Sequence, residues 1–231
     1  MPDLNFEVVG AEVPHFAAVP TLIFKLRISN ADEQERIHSI TLHSQIQISV
    51  NRRRYSPEAQ EKLLEVFGEP KRWGETLRPL LWTHANVFVS QFTGCTVVDM
   101  PIACTYDFEV AGTKYFSALG DGDIPLTFLF SGTIFYEGEE ENLQVAQISW
   151  SKEATYRFPV QVWQEMMARY YPNSTFIRLH KDVFDRLYQF KATRGLPTWE
   201  DVVVRLLQMS EQVETSRQAG EGSDASMEVL R

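Results

Sequence analysis

The chain has 231 residues, 44% hydrophobic and 12% aromatic, which fits a folded protein with a substantial core and excludes a disordered polypeptide. A net charge of −9 denies it the concentrated cationic surface that phosphate contacts need, so neither nucleic acid nor an anionic membrane surface is an expected partner. Two cysteines are too few for a disulfide framework or a zinc cage.

The opening MPDLNFEVVG has neither the basic nor the apolar region of a secretory signal. No apolar run approaches the ~20 residues that cross a bilayer. The expected location is therefore the cytoplasm, with Cys95 and Cys104 reduced rather than bridged.

Apolar and polar residues alternate repeatedly. Leu22, Phe24, Leu26 and Ile28 share one parity, as do Ile40, Leu42, Ile46, Ile48 and Val50. Period two predicts strands with one buried and one wet face, paired antiparallel. Ser56-Pro57 then opens a helix with Leu63, Leu64 and Phe67 on its apolar face and Gly68 at its end, the start of a helical insertion over 56–82. Ile102, Cys104, Tyr106, Phe108 and Val110 predict a further strand.

Ile124 to Tyr136 predicts a central strand, because Leu129 and Phe135 make its second face partly apolar. Gly132 interrupts that side-chain row, the mark of a bulge or a close backbone approach. A strand pair is expected from Leu143 through Trp150 to Tyr156. Three helices follow, over 159–171, over 181–191, and from a Thr198–Asp201 capping box onward. The expected fold class is thus α+β and predominantly β: antiparallel sheets of sandwich or SecB-like type with C-terminal helices packed on them. One domain is expected over 1–210. Residues 211–231, rich in Ser, Gly, Gln and acids, are expected to be a disordered tail.

Little in the chain suggests catalysis. Asp121-Gly122-Asp123 is too short for a calcium loop and has the composition of a tight turn. Ser131 lacks the first glycine of a nucleophile elbow and sits inside a strand. The five histidines have no ligand spacing, and no phosphate-binding glycine loop is present. No catalytic, cofactor-binding or metal residue is assigned, and no cofactor is expected. Arg52, Arg53 and Arg54 form the one dense cationic cluster and are candidates for docking an acidic partner. Trp163, Met166 and Met167 are candidates for an adaptable apolar surface that takes a polypeptide segment.

The whole chain resembles an uncharacterised bacterial family of unknown function. The resemblance is carried by RRRY at 52–55, FGEPKRWGETL at 67–77, IPLTFLFSGTIFY at 124–136, ISWSKEATYRFP at 148–159 and GLPTWEDV at 195–202. It implies genes beside those of uptake nickel–iron hydrogenases, and hence an accessory or assembly role without assigned functional residues. The last third before the tail also resembles the SecB export chaperone. There Gly132-Thr133-Ile134-Phe135 precedes Phe158-Pro159, then Thr175-Phe176, Leu179 and Phe184-Asp185-Arg186-Leu187-Tyr188. The N-terminal half departs from that pattern, so neither the assembly nor the substrate groove of SecB carries over.

The expectation is a non-catalytic accessory or chaperone-like protein, bound to a protein partner or client polypeptide, with self-association compatible. A structural subunit of a larger complex, or an enzyme whose site is scattered along the chain, remain as alternatives.

Overall fold

Strand alternation builds two antiparallel sheets. The computed structural model describes all residues except 105–109, 139–141, 175, 176, 178 and 225–231. The first sheet has the order β1 (Leu4–Glu12), β2 (Thr21–Asn30) and β6 (Cys95–Ala103). The second is built on β3 (Arg36–Ile48) and β7 (Asp123–Glu137), with β4 (Leu80–Val89) and the short β5 (Phe92–Thr93) beside β3. On the other side of β7 run β8 (Leu143–Gln147) and β9 (Glu153–Pro159).

The same-parity residues read from the sequence face inward. Leu22, Phe24, Leu26 and Ile28 are fully buried, and so are Ile40, Ile46, Ile48, Ile124 and Phe128. Phe6 stacks on Phe130 with ring centroids 4.5 Å apart, and Phe24 meets Phe128 edge to face at 5.3 Å. These pairs join the two sheets into a sandwich and exceed simple area burial in their contribution.

Gly132 makes the close approach that its sequence position predicted. Its φ is +145°, and a Cβ there would overlap the Thr41 carbonyl oxygen of β3. Its own carbonyl accepts from Ile148 N at 2.9 Å, where the chain passes from β8 towards β9.

The helical insertion consists of α1 (Pro57–Lys62), α2 (Leu64–Phe67) and α3 (Trp73–Thr76). Ser56 Oγ caps α1 by accepting from Ala59 N. The insertion ends before residue 80 rather than at 82, because Trp82 lies in β4 with its ring against Phe116. The expected strand over 102–110 is also corrected. Only Ile102 and Ala103 belong to β6, residues 105–109 lie outside the described part, and Val110 begins a helix, α4 (Val110–Ala118). Burial of Tyr115 and Phe116 stabilises this short helix despite Gly112 and Thr113, a tertiary effect that local pattern does not carry.

The chain divides into two compact units, Met1–Thr175 and Phe176–Arg231, where the sequence reading expected one domain to 210. The first holds both sheets, α1 to α4 and α5 (Val160–Tyr170). The second holds α6 (Lys181–Thr193) and α7 (Trp199–Asp224). Helix α7 continues through residues 211–224, which were expected to be disordered. Glu, Gln, Arg and Ala in that stretch are good helix formers, and the compositional reading weighed only their polarity.

Candidate functional site

The three arginines separate in space. Arg52 ends a short 3₁₀ turn, and both it and Arg54 are exposed. Arg53 turns inward: its side chain is 12% exposed, and Nη1 donates to the Asp123 carbonyl at 2.5 Å while Nη2 donates to the Asp121 carbonyl. The turn between those carbonyls is made by Gly122 at φ +72°. Asp121 to Asp123 therefore form a turn clamped by Arg53, and Arg53 is not available as a docking residue. Its Nε is buried without a partner.

The proposed Trp and Met surface is corrected in the same way. Trp163 and Met166 are buried on the inner face of α5, with Trp163 against Phe116 at 4.5 Å between centroids. Their spacing of three places them on one helix face, and that face is the core. Met167 is half-buried and lines, with Gln164 and Tyr171, a cleft of about 430 Å³ between α4 and α5.

Ser131 stands in a cross-strand row on the outer face of the second sheet, opposite His43, which is opposite Asn86. The His43 Nδ1 lies 2.5 Å from Asn86 Oδ1, so the pair orients the imidazole. The His43 side chain bonds Asn86 rather than Ser131, and both Ser131 and His43 are exposed on an open sheet face. Strand N–H groups beside them are committed to the ladder, so the row has no built oxyanion donors and no water-excluding wall.

Three groups removed from solvent hold their protons tightly. Burial, with the Tyr55 hydroxyl 3.0 Å away, raises the Tyr115 phenol, and burial also raises Tyr55. Tyr55 donates to the Val50 carbonyl at 2.6 Å. Burial pushes the Cys104 thiol up to about 12. Cys95 is exposed at the other end of the extended β6, so the two thiols stand roughly 30 Å apart and are free. Among the described residues no group of three or more His, Cys, Asp or Glu stands where it could hold a metal ion. Among the same residues no helix is long and apolar enough to cross a membrane.

The pronounced apolar surface lies in the second unit. Thr198 and Asp201 cap α7 as the sequence indicated: Asp201 N donates to Thr198 Oγ1 at 3.0 Å, and Thr198 N donates to Asp201 Oδ2 at 3.1 Å. The Thr198 hydroxyl and amide hold the Asp201 carboxyl below its usual value. The cap fixes where α7 starts, and Trp199 then packs against Phe184 of α6 with centroids 5.0 Å apart. Lys191 Nζ lies 5.8 Å over the same indole and donates to the Pro197 carbonyl at 2.8 Å.

From that anchor, Phe184 and Leu187 of α6 face Val202, Val203, Leu206 and Leu207 of α7 across an apolar groove of about 670 Å³. Leu207 remains 59% exposed, Val203 42% and Phe184 42%. Sequence reading recognised these stripes but took them as faces packed on the core. Periodicity shows which face is apolar, not what covers it.

No curated protein matches the chain in sequence. Among solved structures, a CARDB domain of the PF1109 protein from Pyrococcus furiosus, in complex with di-metal ions, shares 12% identity, over 68% of this chain and 92% of that one, with a TM-score of 0.26. A β-glucosidase from Kluyveromyces marxianus shares 9% over 68% of this chain and 15% of its own, with a TM-score of 0.23. β-Glucosidase 3B from Thermotoga neapolitana shares 9% over 68% and 17%, with a TM-score of 0.22. Scores this low carry no argument about fold or activity. The sequence itself matches one family model over residues 1–215, and the chain belongs to that family, DUF6084, a family of unknown function.

Proposed function

We propose that this protein is a non-catalytic, polypeptide-binding accessory protein of chaperone-like type. It takes an apolar segment of another protein into the groove between α6 and α7. The observation that carries this reading is the row of large apolar side chains left uncovered on both helices, on a rim that also bears charge. Contiguous exposed apolar surface rimmed by polar groups is the signature of a protein-interaction site. An amphipathic client helix would seat residues at i, i+3, i+4 and i+7 between the stripes. Affinity would come from apolar area at about 25 cal/mol per Å², less the cost of association.

A client in hydrogenase assembly, met in the cytoplasm, is the setting we propose on the sequence resemblance to hydrogenase-associated genes. The test is suppression of aggregation of a chemically unfolded client, paired with titration of an amphipathic apolar peptide. Wild-type protein is expected to do both, and Leu207→Glu to bind the peptide at least tenfold more weakly. Equal binding by the two would remove the groove from the function. Stoichiometric retention in a mature complex would instead identify a permanent subunit.

A further inference from the structure

We infer that, when no client is present, the α6–α7 groove is closed by the same groove of a second copy of this chain, forming a four-helix bundle. This rests on the reading of the groove as a protein-binding surface and names the partner it meets first.

The first argument is that the helical unit has too little core. Among the described residues of Phe176–Arg231, Val202 is the one apolar side chain that is fully buried. Two helices alone cannot enclose their apolar faces, whereas four can.

The second argument is the width of the apolar arc on α7. Trp199, Val202, Leu206, Met209 and Val213 follow alternating steps of three and four, the spacing of a helix–helix seam. Val203 and Leu207 add a second stripe beside it. One stripe serves one neighbouring helix, and α6 is one neighbour. A second stripe calls for a second helix, as at each position in a four-helix bundle.

Charge selects a second copy as the source of that helix. Helix α6 carries Lys181, Arg186 and Lys191 against Asp182 and Asp185, leaving it net positive. From its start to Glu211, α7 carries Arg205 against Glu200, Asp201 and Glu211, leaving it net negative. A two-fold arrangement that lays α6 of one copy on α7 of the other pairs opposite signs twice over. The excess acid that would make copies repel lies mainly in the rest of the chain.

The test is the mass of the full-length protein by sedimentation equilibrium across a hundredfold range of concentration. Wild type is expected at twice 26.6 kDa. Leu207→Glu and, separately, the milder Val203→Lys, both at residues that line the groove, are expected to weaken the dimer at least a hundredfold and tenfold. An unchanged helical circular-dichroism signal shows that α6 and α7 of each variant are folded, and retained protection of the Cys104 thiol shows the same for the first unit. A wild type that stays monomeric throughout overturns the inference, and so does a dimer that survives both substitutions. Peptide titration separates the two readings. A monomer that still binds the apolar peptide loses the dimer and keeps the proposed function. A dimer that Leu207→Glu splits, but that no peptide binds or dissociates, keeps the dimer and loses the function.

Discussion

Arg53 holds the turn that starts the longest strand: its guanidinium donates to the carbonyl of Asp123, the first residue of β7, at 2.5 Å. A second donation, to the Asp121 carbonyl, spans Gly122 and fixes the direction from which β7 enters the sheet. The planar fork of arginine suits two carbonyls at once, which lysine cannot reproduce. Arg53→Ala is expected to lower unfolding free energy by about 1–2 kcal/mol, and Arg53→Lys to recover less than half of that. Arg52→Ala and Arg54→Ala, both on exposed residues, are expected to change it by under about 0.5 kcal/mol. Urea midpoints for the four variants decide this.

Gly132 and Thr41 set a second requirement. Positive φ and the absence of space for a Cβ act together there, and the obstacle is backbone rather than a movable side chain. Gly132→Ala is expected to cost about 3 kcal/mol or more, through strain plus displacement of β3 from β7. An unchanged thermal midpoint in that variant would show that the two strands are not so closely apposed.

Trp163 and Leu207 distinguish core from surface. Trp163→Ala opens a cavity beside Phe116 and is expected to cost about 3–5 kcal/mol. Leu207→Ala removes a side chain that is 59% exposed and is expected to leave stability within about 1 kcal/mol, while weakening peptide capture. Measuring stability and peptide affinity on both variants separates the two roles.

Alkaline conditions are expected to destabilise the protein. Burial holds the protons of Cys104 and Tyr115 in the folded state, whereas unfolding frees a thiol that ionises near about 8.5 and a phenol near about 10. Above those values the unfolded state binds fewer protons, so stability falls as pH rises. The contribution is complete below about pH 8.5 and declines from there through the folded thiol value of about 12. Urea midpoints from pH 7 to 11 should show this fall. Cys104→Val should remove its earlier part, and Tyr115→Phe should flatten it above about pH 10.

The thiols also report on the fold directly. Cys95 is exposed at the start of β6, and Cys104 is buried just beyond its far end. A thiol reagent such as DTNB is expected to modify one cysteine quickly in the native protein and the second only after denaturation. Fast modification of both would place Cys104 outside the core.

Alternation of apolar and polar residues was enough to predict the antiparallel, largely β class and the inward faces of β2, β3 and β7, while short residue signals predicted the caps of α1 and α7 and the constraint at Gly132. Such features are local: side chains in a strand alternate by geometry, a cap spans only four residues, and glycine interrupting an apolar row is visible in one dimension. The neighbours of each face were decided in three dimensions. Helix α4 forms because Tyr115 packs against Tyr55 and Phe67, and Phe116 against Trp82, Phe158 and Trp163, all distant in the chain. Trp163 and Met166 point inward while Phe184 and Leu207 are left outside, although all four sit on equally clear helical stripes. Burial depends on which elements meet, and that depends on contacts between residues far apart in the chain. A repeating pattern read along one segment gives the side that seeks cover, and the tertiary structure alone decides whether cover is present.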